Sequence, residues 1–77
     1  MKFEYIKWKD IITDSAWRSK KELEKPAVCH SAGILIDETK DFVRLSVGYS
    51  KDGGDEEWVG IISIPKGCII KRERLHK

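Results

Sequence analysis

The sequence predicts a small all-β protein: five short strands closed into a barrel, with one short helical segment between the first two strands. Three observations carry that expectation. Apolar and polar residues alternate with a period of two over several short runs, the spacing that turns one face of a strand toward a core. Residues that favour turns separate those runs at short intervals. The one stretch that reads as helical lacks a full apolar stripe.

The first strand places Ile6 and Trp8 on one face and Lys7 and Lys9 on the other. Phe3 and Tyr5 fall on the lysine side, which calls for a bulge or a second packing surface. Thr13, Asp14 and Ser15 are N-cap types, and residues 16–25 are rich in helix formers before Pro26 forbids continuation. Ser19 and Glu22 have capping-box spacing. Trp17 and Leu23 are the chief apolar residues of this segment, so it is expected on the barrel surface or over one of its ends.

Residues 27–36 are apolar and β-favouring, with Gly33 where a strand bends or another backbone comes close. A polar turn at 37–41 leads into the cleanest alternation in the chain, Val43, Leu45, Val47 and Tyr49 against Phe42, Arg44, Ser46 and Gly48, and so to a hairpin. Residues 50–57 hold Gly53, Gly54 and four acids and read as an exposed, mobile loop. Strand character resumes over 58–64, Pro65, Lys66 and Gly67 make a tight turn, and 68–75 form the last strand. The expected core is Trp8, Ile34, Ile36, Val43, Leu45, Val47, Ile62 and Ile64. Closing the sheet hides its edges and sets the first and last strands side by side. An edge left unpaired would pair with a neighbouring subunit, so a homo-oligomer is expected.

Composition narrows the function classes. At 77 residues, 40% hydrophobic and 36% charged, the chain has apolar material for one compact core and reads as a single domain over 1–77. Apolar stretches such as residues 34–36 fall far short of the ~20 residues of a spanning helix, so no membrane partner is expected. Residues 1–10 alternate charge with aromatics rather than building a secretory signal, and a cytoplasmic setting is expected. The net charge of +2, from 15 basic and 13 acidic residues, is too small to force a nucleic-acid partner by overall attraction, which leaves local clustering.

Catalytic signatures are absent, and neither enzymatic activity nor a cofactor is expected. Cys29 and Cys68 are too few for a disulfide scaffold and read as buried thiols. Cys29, His30, Cys68 and His76 are the only soft metal ligands, yet adjacent Cys29 and His30 on a strand point to opposite faces. The acids Asp37 and Asp41, and Asp55 with Glu56 and Glu57, read as solvated loop charge. Gly53 and Gly54 lack the lysine and hydroxyl of a phosphate-binding loop.

Gly33, Leu35, Asp37 and the alternating 43–47 strand, followed by a short turn before Ile69 and Ile70, resemble the two signature segments of Sm-like proteins. The resemblance covers roughly residues 32–75. It implies an SH3-like five-stranded barrel, assembly into rings, and RNA or nucleotide binding in loops at subunit junctions. Asp41 stands where that family commonly has asparagine, and its charge would repel phosphate; Lys66 and Gly67 stand where it usually has Arg-Gly. The helical segment lies between the first two strands, whereas the family helix usually comes first. Trp8 with Asp10, Trp17, the 31–35 segment and the run Ile64, Pro65, Lys66, Gly67, Cys68, Ile69 also resemble small accessory proteins of tailed bacteriophages. That resemblance implies action by binding: sequestering a host signal, blocking a host enzyme or altering a nucleic-acid machine.

Lys66, Lys71, Arg72, Arg74 and Lys77 gather near the end of the chain with only Glu73 opposing them, and Lys7 and Lys9 line the first strand. Adjacent first and last strands would merge these cations into a patch that attracts phosphate. The expected ligand-binding residues are Lys66, Arg72 and Arg74, with Trp58 and Tyr5 stacking on a base. A solvated polar face is the competing reading. The expected function is a phage-encoded, self-associating, non-enzymatic protein that holds a phosphate-bearing ligand, a nucleic acid or a signalling nucleotide, as in counter-defence sequestration. The alternative is an inhibitor that clamps a host enzyme through Trp17 and the acids of residues 52–57, Asp55 and Glu56 among them.

Overall fold

The computed structural model describes residues 1–10, 16–22 and 25–75. They form seven strands and no α-helix: β1 Phe3–Lys9, β2 Val28–Glu38, β3 Phe42–Ser46, β4 Gly48–Asp52, β5 Asp55–Val59, β6 Ile62–Pro65 and β7 Ile69–Leu75. Five of them make one antiparallel sheet in the order β6-β3-β2-β1-β7, and β4 pairs with β5 in a separate two-stranded sheet. The fold is therefore all-β, and the first and last strands are neighbours, with Phe3 opposite Leu75 and Lys7 opposite Lys71. The main sheet is open, with β6 and β7 as its edges.

Between β1 and β2 the described helical structure is a three-residue 3-10 turn, Lys20–Glu22. The Ser19 hydroxyl donates to Glu22 Oε1 at 2.9 Å and Arg18 lies 3.6 Å from the same carboxylate. Thr13, Asp14, Ser15 and Leu23, invoked above for the start and the apolar side of a helix, lie outside the described residues. A second 3-10 turn, Lys66–Cys68, joins β6 to β7.

The core consists of Ile6, Val43, Leu45 and Ile64, all buried, with Trp8, Leu35, Ile62 and Ile69 packed against it. The expected core is thus corrected on β2 and β3. Ser31 and Gly33 stand opposite the inward Ile6 and Glu4, so alternation turns Leu35, opposite buried Leu45, toward the core instead of Ile34; the register shift between Leu35 and Asp37 follows it at Ile36. Val47 is exposed because the chain bends there and leaves the main sheet. The partner strand bends at Gly60, whose φ of 63° suits glycine.

The 50–57 segment is not a loop. Its residues belong to a β-hairpin, β4–β5, whose two-residue turn is Gly53–Gly54 at φ 67° and 93°, the sign a primed hairpin turn requires at both positions. This hairpin projects as an arm from a molecule with extents of 55 × 25 × 21 Å. The radius of gyration is 16.0 Å, against about 11.5 Å for a compact chain of this length.

Gly33 is where β2 passes from β1 to β3. A Cβ on it would stand 2.5 Å from the Ser46 carbonyl oxygen, so no side chain fits without moving backbone. Gly33→Ala is expected to lower stability by about 1–3 kcal/mol, the scale of overpacking, in urea unfolding. Gly67→Ala, where nothing lies within 4 Å of the added carbon, is the control and should stay within about 0.5 kcal/mol of the parent.

Candidate functional site

Along β1 the inward residues are Glu4, Ile6 and Trp8, so the core face of this strand carries a carboxylate. Glu4 is only 2% exposed. Cross-strand register sets Arg72 and Arg74 opposite Ile6 and Glu4. The Arg72 Nε and Nη2 donate to the two Glu4 oxygens at 2.9 and 3.0 Å, and its Nη1 and Nη2 donate to Glu38 at 3.1 and 3.2 Å. Lys66 Nζ lies 2.7 Å from Glu38, and Arg74 Nη2 lies 3.9 Å from Glu4.

Lys66, Arg72 and Arg74 are therefore brought together, as the sequence suggested, but around two acids that the sequence reading did not connect to them. Three cations meet two carboxylates. Hydrogen bonds from Arg72 first, then Lys66, pull the Glu38 carboxyl down to about 2. The same bonding raises Arg72, with Glu38 the larger cause. A period-two reading extended to residue 4 would have exposed the signal, since Glu4 shares the face of Ile6 and Trp8 and a buried carboxylate requires a cation.

The opposite face of the same strands is different. Phe3, Tyr5, Lys7 and Lys9 pair across β2 with Ile34, Ala32, His30 and Val28, and across β7 Lys7 meets Lys71 and Tyr5 meets Glu73. Tyr5 and His30 stack with ring centroids 5.9 Å apart at 17°, and the Tyr5 hydroxyl and His30 Nδ1 share a hydrogen bond of 2.7 Å. Lys71 contacts Glu73 at 3.0 Å, which raises its pKa, with a smaller contribution from Tyr5. Among the described residues Lys7 and Lys9 have no ion-pair partner. Phe3 and Tyr5 are half-buried on this face.

No protein-family model, curated protein or solved structure matches this chain. The chemistry of the site therefore rests on its own geometry.

Trp58 does not join Tyr5 or the arginines. It stands on the arm opposite Tyr49, rings 4.7 Å apart, and the Tyr49 hydroxyl donates to Glu56 at 3.1 Å. Burial and then Glu56 raise the Tyr49 pKa. Asp55 and Glu56 lie on the exposed β5. Trp17 is fully exposed, so it neither enters the core nor covers an end of the sheet. At the arm's root a groove of about 330 Å³ opens between Ser31, Leu45, Ser46, Val47 and Ile62. The Ser46 hydroxyl faces the carbonyl oxygens of Gly48 and Val59 at 2.7 and 2.5 Å, tying the bend to β5.

Cys29 and Cys68 are half-buried free thiols rather than buried ones. Among the described residues no three His, Cys, Asp or Glu side chains gather as a metal-binding group, and His76 lies outside those residues. Likewise, no helix of the described residues is long and apolar enough to cross a membrane.

Two outcomes follow from the Glu4 and Glu38 contacts. Removing the guanidinium by Arg72→Met leaves Glu4 buried without its bidentate partner and should cost about 3 kcal/mol or more in denaturant unfolding. Adding Glu4→Gln to that variant should recover much of the loss, because the stranded charge is gone. The second outcome concerns acid. Glu38 has a folded pKa depressed to about 2 from 4.5, so its stabilising effect is complete above about 4.5 and fades as pH falls toward 2. Glu38→Gln should flatten that acid limb of the stability profile, measured by thermal melts between pH 5 and pH 2.

Proposed function

We propose that this protein acts by binding, without catalysis, and that the outer face of β1, β2 and β7 holds a phosphate-bearing ligand, a nucleic acid or a signalling nucleotide. The observation that carries this reading is the pairing of Lys7 with Lys71 beside the Tyr5–His30 stack. Glu73 offsets Lys71, while Lys7 and Lys9 have no ion-pair partner among the described residues, so the face keeps a positive excess that an anion placed beside Lys7 and Lys71 would neutralise. Tyr5 and His30 offer a flat aromatic surface within reach of the same lysines, the combination that nucleotide bases and phosphates together require.

This moves the ligand from Lys66 and Arg72, whose charge is committed to Glu38 and Glu4, toward Lys7, Lys9 and Lys71. Arg74, opposite the inward Glu4 and 3.9 Å from it, stands on the other face of β7 and does not join this surface. Trp58 would reach such a ligand only from another copy.

The strand order β7-β1-β2-β3-β6, with a 3-10 turn joining the two edge strands, supports an SH3-like or Sm-like barrel as the parent architecture. Open edges at β6 and β7 support self-association. On this reading the chain is a bacteriophage accessory protein working in the host cytoplasm, and sequestration of a signalling nucleotide would make it a counter-defence factor.

Binding of short single-stranded RNA and of cyclic nucleotides, followed by thermal shift and fluorescence anisotropy at low salt, tests the proposal. Lys7→Gln and Lys71→Gln should each weaken RNA binding and reduce the slope of log affinity against log salt by about 0.7. Lys66→Gln should leave affinity nearly unchanged while lowering stability. No binding to any of these ligands at low salt would defeat the reading.

A second reading keeps a host enzyme as partner, and the full exposure of Trp17 favours it, because an uncovered indole is a strong interface anchor. It predicts a stoichiometric host protein lost on Trp17→Ala and on neutralising Asp55 and Glu56, with the fold retained by circular dichroism.

A further inference from the structure

The arm and the outer sheet face carry opposite net charge in matching order. On the β4–β5 arm, Gly48 pairs with Val59, Ser50 with Glu57 and Asp52 with Asp55, so these six share one face. That face runs from exposed Val59 at the root to Glu57 and then to two aspartates directly opposite each other at the tip. Among the described residues Asp52, Asp55 and Glu57 have no ion-pair partner, and Lys51, paired with Glu56, lies on the other face. Like charges directly opposite on paired strands are destabilising, and a two-stranded sheet alone is marginal in water.

The outer face of β1 and β7 has the same order with the opposite sign. Phe3 pairs with Leu75, which is exposed; Tyr5 pairs with Glu73; Lys7 pairs with Lys71, and Lys9 follows. Glu73 is held by Lys71, so the row around Lys7 remains cationic. From Phe3 to Lys7, and from Val59 to Asp55, is four residues, about 13 Å of strand in each case. An apolar row and a charged row are therefore equally spaced on both surfaces.

We propose that the occupant of the outer face is the arm of a second copy of this chain, with Asp52 and Asp55 against Lys7 and Lys71 and Val59 against Phe3 and Leu75. The proposal rests on the self-association argued above and names its surfaces. The like-charged aspartate pair of the arm tip meets the cationic excess that Lys7 and Lys9 give the outer face, and the two neutralise each other in a single contact. Reciprocal docking of the two arms closes a dimer and buries the contact twice. Because the arm tip occupies Lys7 and Lys71, the dimer and a phosphate ligand exclude each other, and the ligand releases the arm.

Charge reversal tests this by analytical ultracentrifugation, with circular dichroism confirming the fold of each variant. The parent protein is expected to self-associate, more weakly at high salt. Asp52→Lys with Asp55→Lys, and separately Lys7→Glu with Lys71→Glu, should each weaken association about tenfold or more. Mixing the two folded double variants should restore it, since each arm then meets a face of opposite sign. Folded variants that associate like the parent, or a mixture that stays monomeric, would overturn this contact while leaving self-association through another surface. A monomeric parent at all concentrations would overturn both.

Discussion

Glu4 is the constraint around which this small fold is arranged. A carboxylate at 2% exposure is tolerable only with its oxygens bonded, and both are held by one guanidinium that arrives from the last strand. Among the described residues the fully buried apolar core is four side chains, too little to determine the pairing of distant segments by burial alone. The bidentate contact supplies specificity: it requires β7 to lie beside β1 with Arg72 and Arg74 on the inward side. Arg72 also reaches Glu38 at the end of β2, and Lys66, just after β6, holds the same acid. One network therefore touches β1, β2, β7 and the β6–β7 turn, tying both edges of the open sheet to its middle.

Committing Arg72 and Lys66 to this task changes what they can do chemically. A guanidinium already bridging two carboxylates has few donors left for phosphate, and an incoming anion would have to compete with Glu4 in a water-poor setting. Lys7 and Lys71 face the other way and have no such duty beyond the Lys71–Glu73 contact. Alternation along β1 thus separates a structural ion network from an exposed basic surface only one residue apart in sequence.

The same alternation explains what could be read from the sequence. Whereas the neighbouring first and last strands, expected from barrel closure, pair within an open sheet, strand content, the close approach at Gly33 and the inward set Ile6, Val43, Leu45 and Ile64 follow from period-two patterning and turn residues. Three features did not. The acids near Gly53 and Gly54 suggested a loop because solvated strands and loops share a composition, whereas the two glycines with positive φ make a tight hairpin turn. Val47 continues the alternation of β3 perfectly well, and only the bend at Val47 and Gly60 takes it out of the core. The cations at the end of the chain were counted without their partners, because Glu4 and Glu38 are 68 and 34 residues away from Arg72. Their proximity is a property of register, which local sequence does not encode.

Two paired bends determine how charge is distributed over the finished molecule. Because the chain leaves the main sheet at Val47 and returns to it after Gly60, the acidic residues 52–57 are carried on a separate two-stranded sheet instead of pairing with the basic strands. A chain with a net charge of only +2 thereby acquires one end that is anionic and one face that is cationic. Within one copy the arm is tied at its root by the Ser46 hydroxyl contacts to Gly48 and Val59. Between copies the anionic arm and the cationic face are of opposite sign, and charges left unpaired within one fold are the ones electrostatic recognition uses.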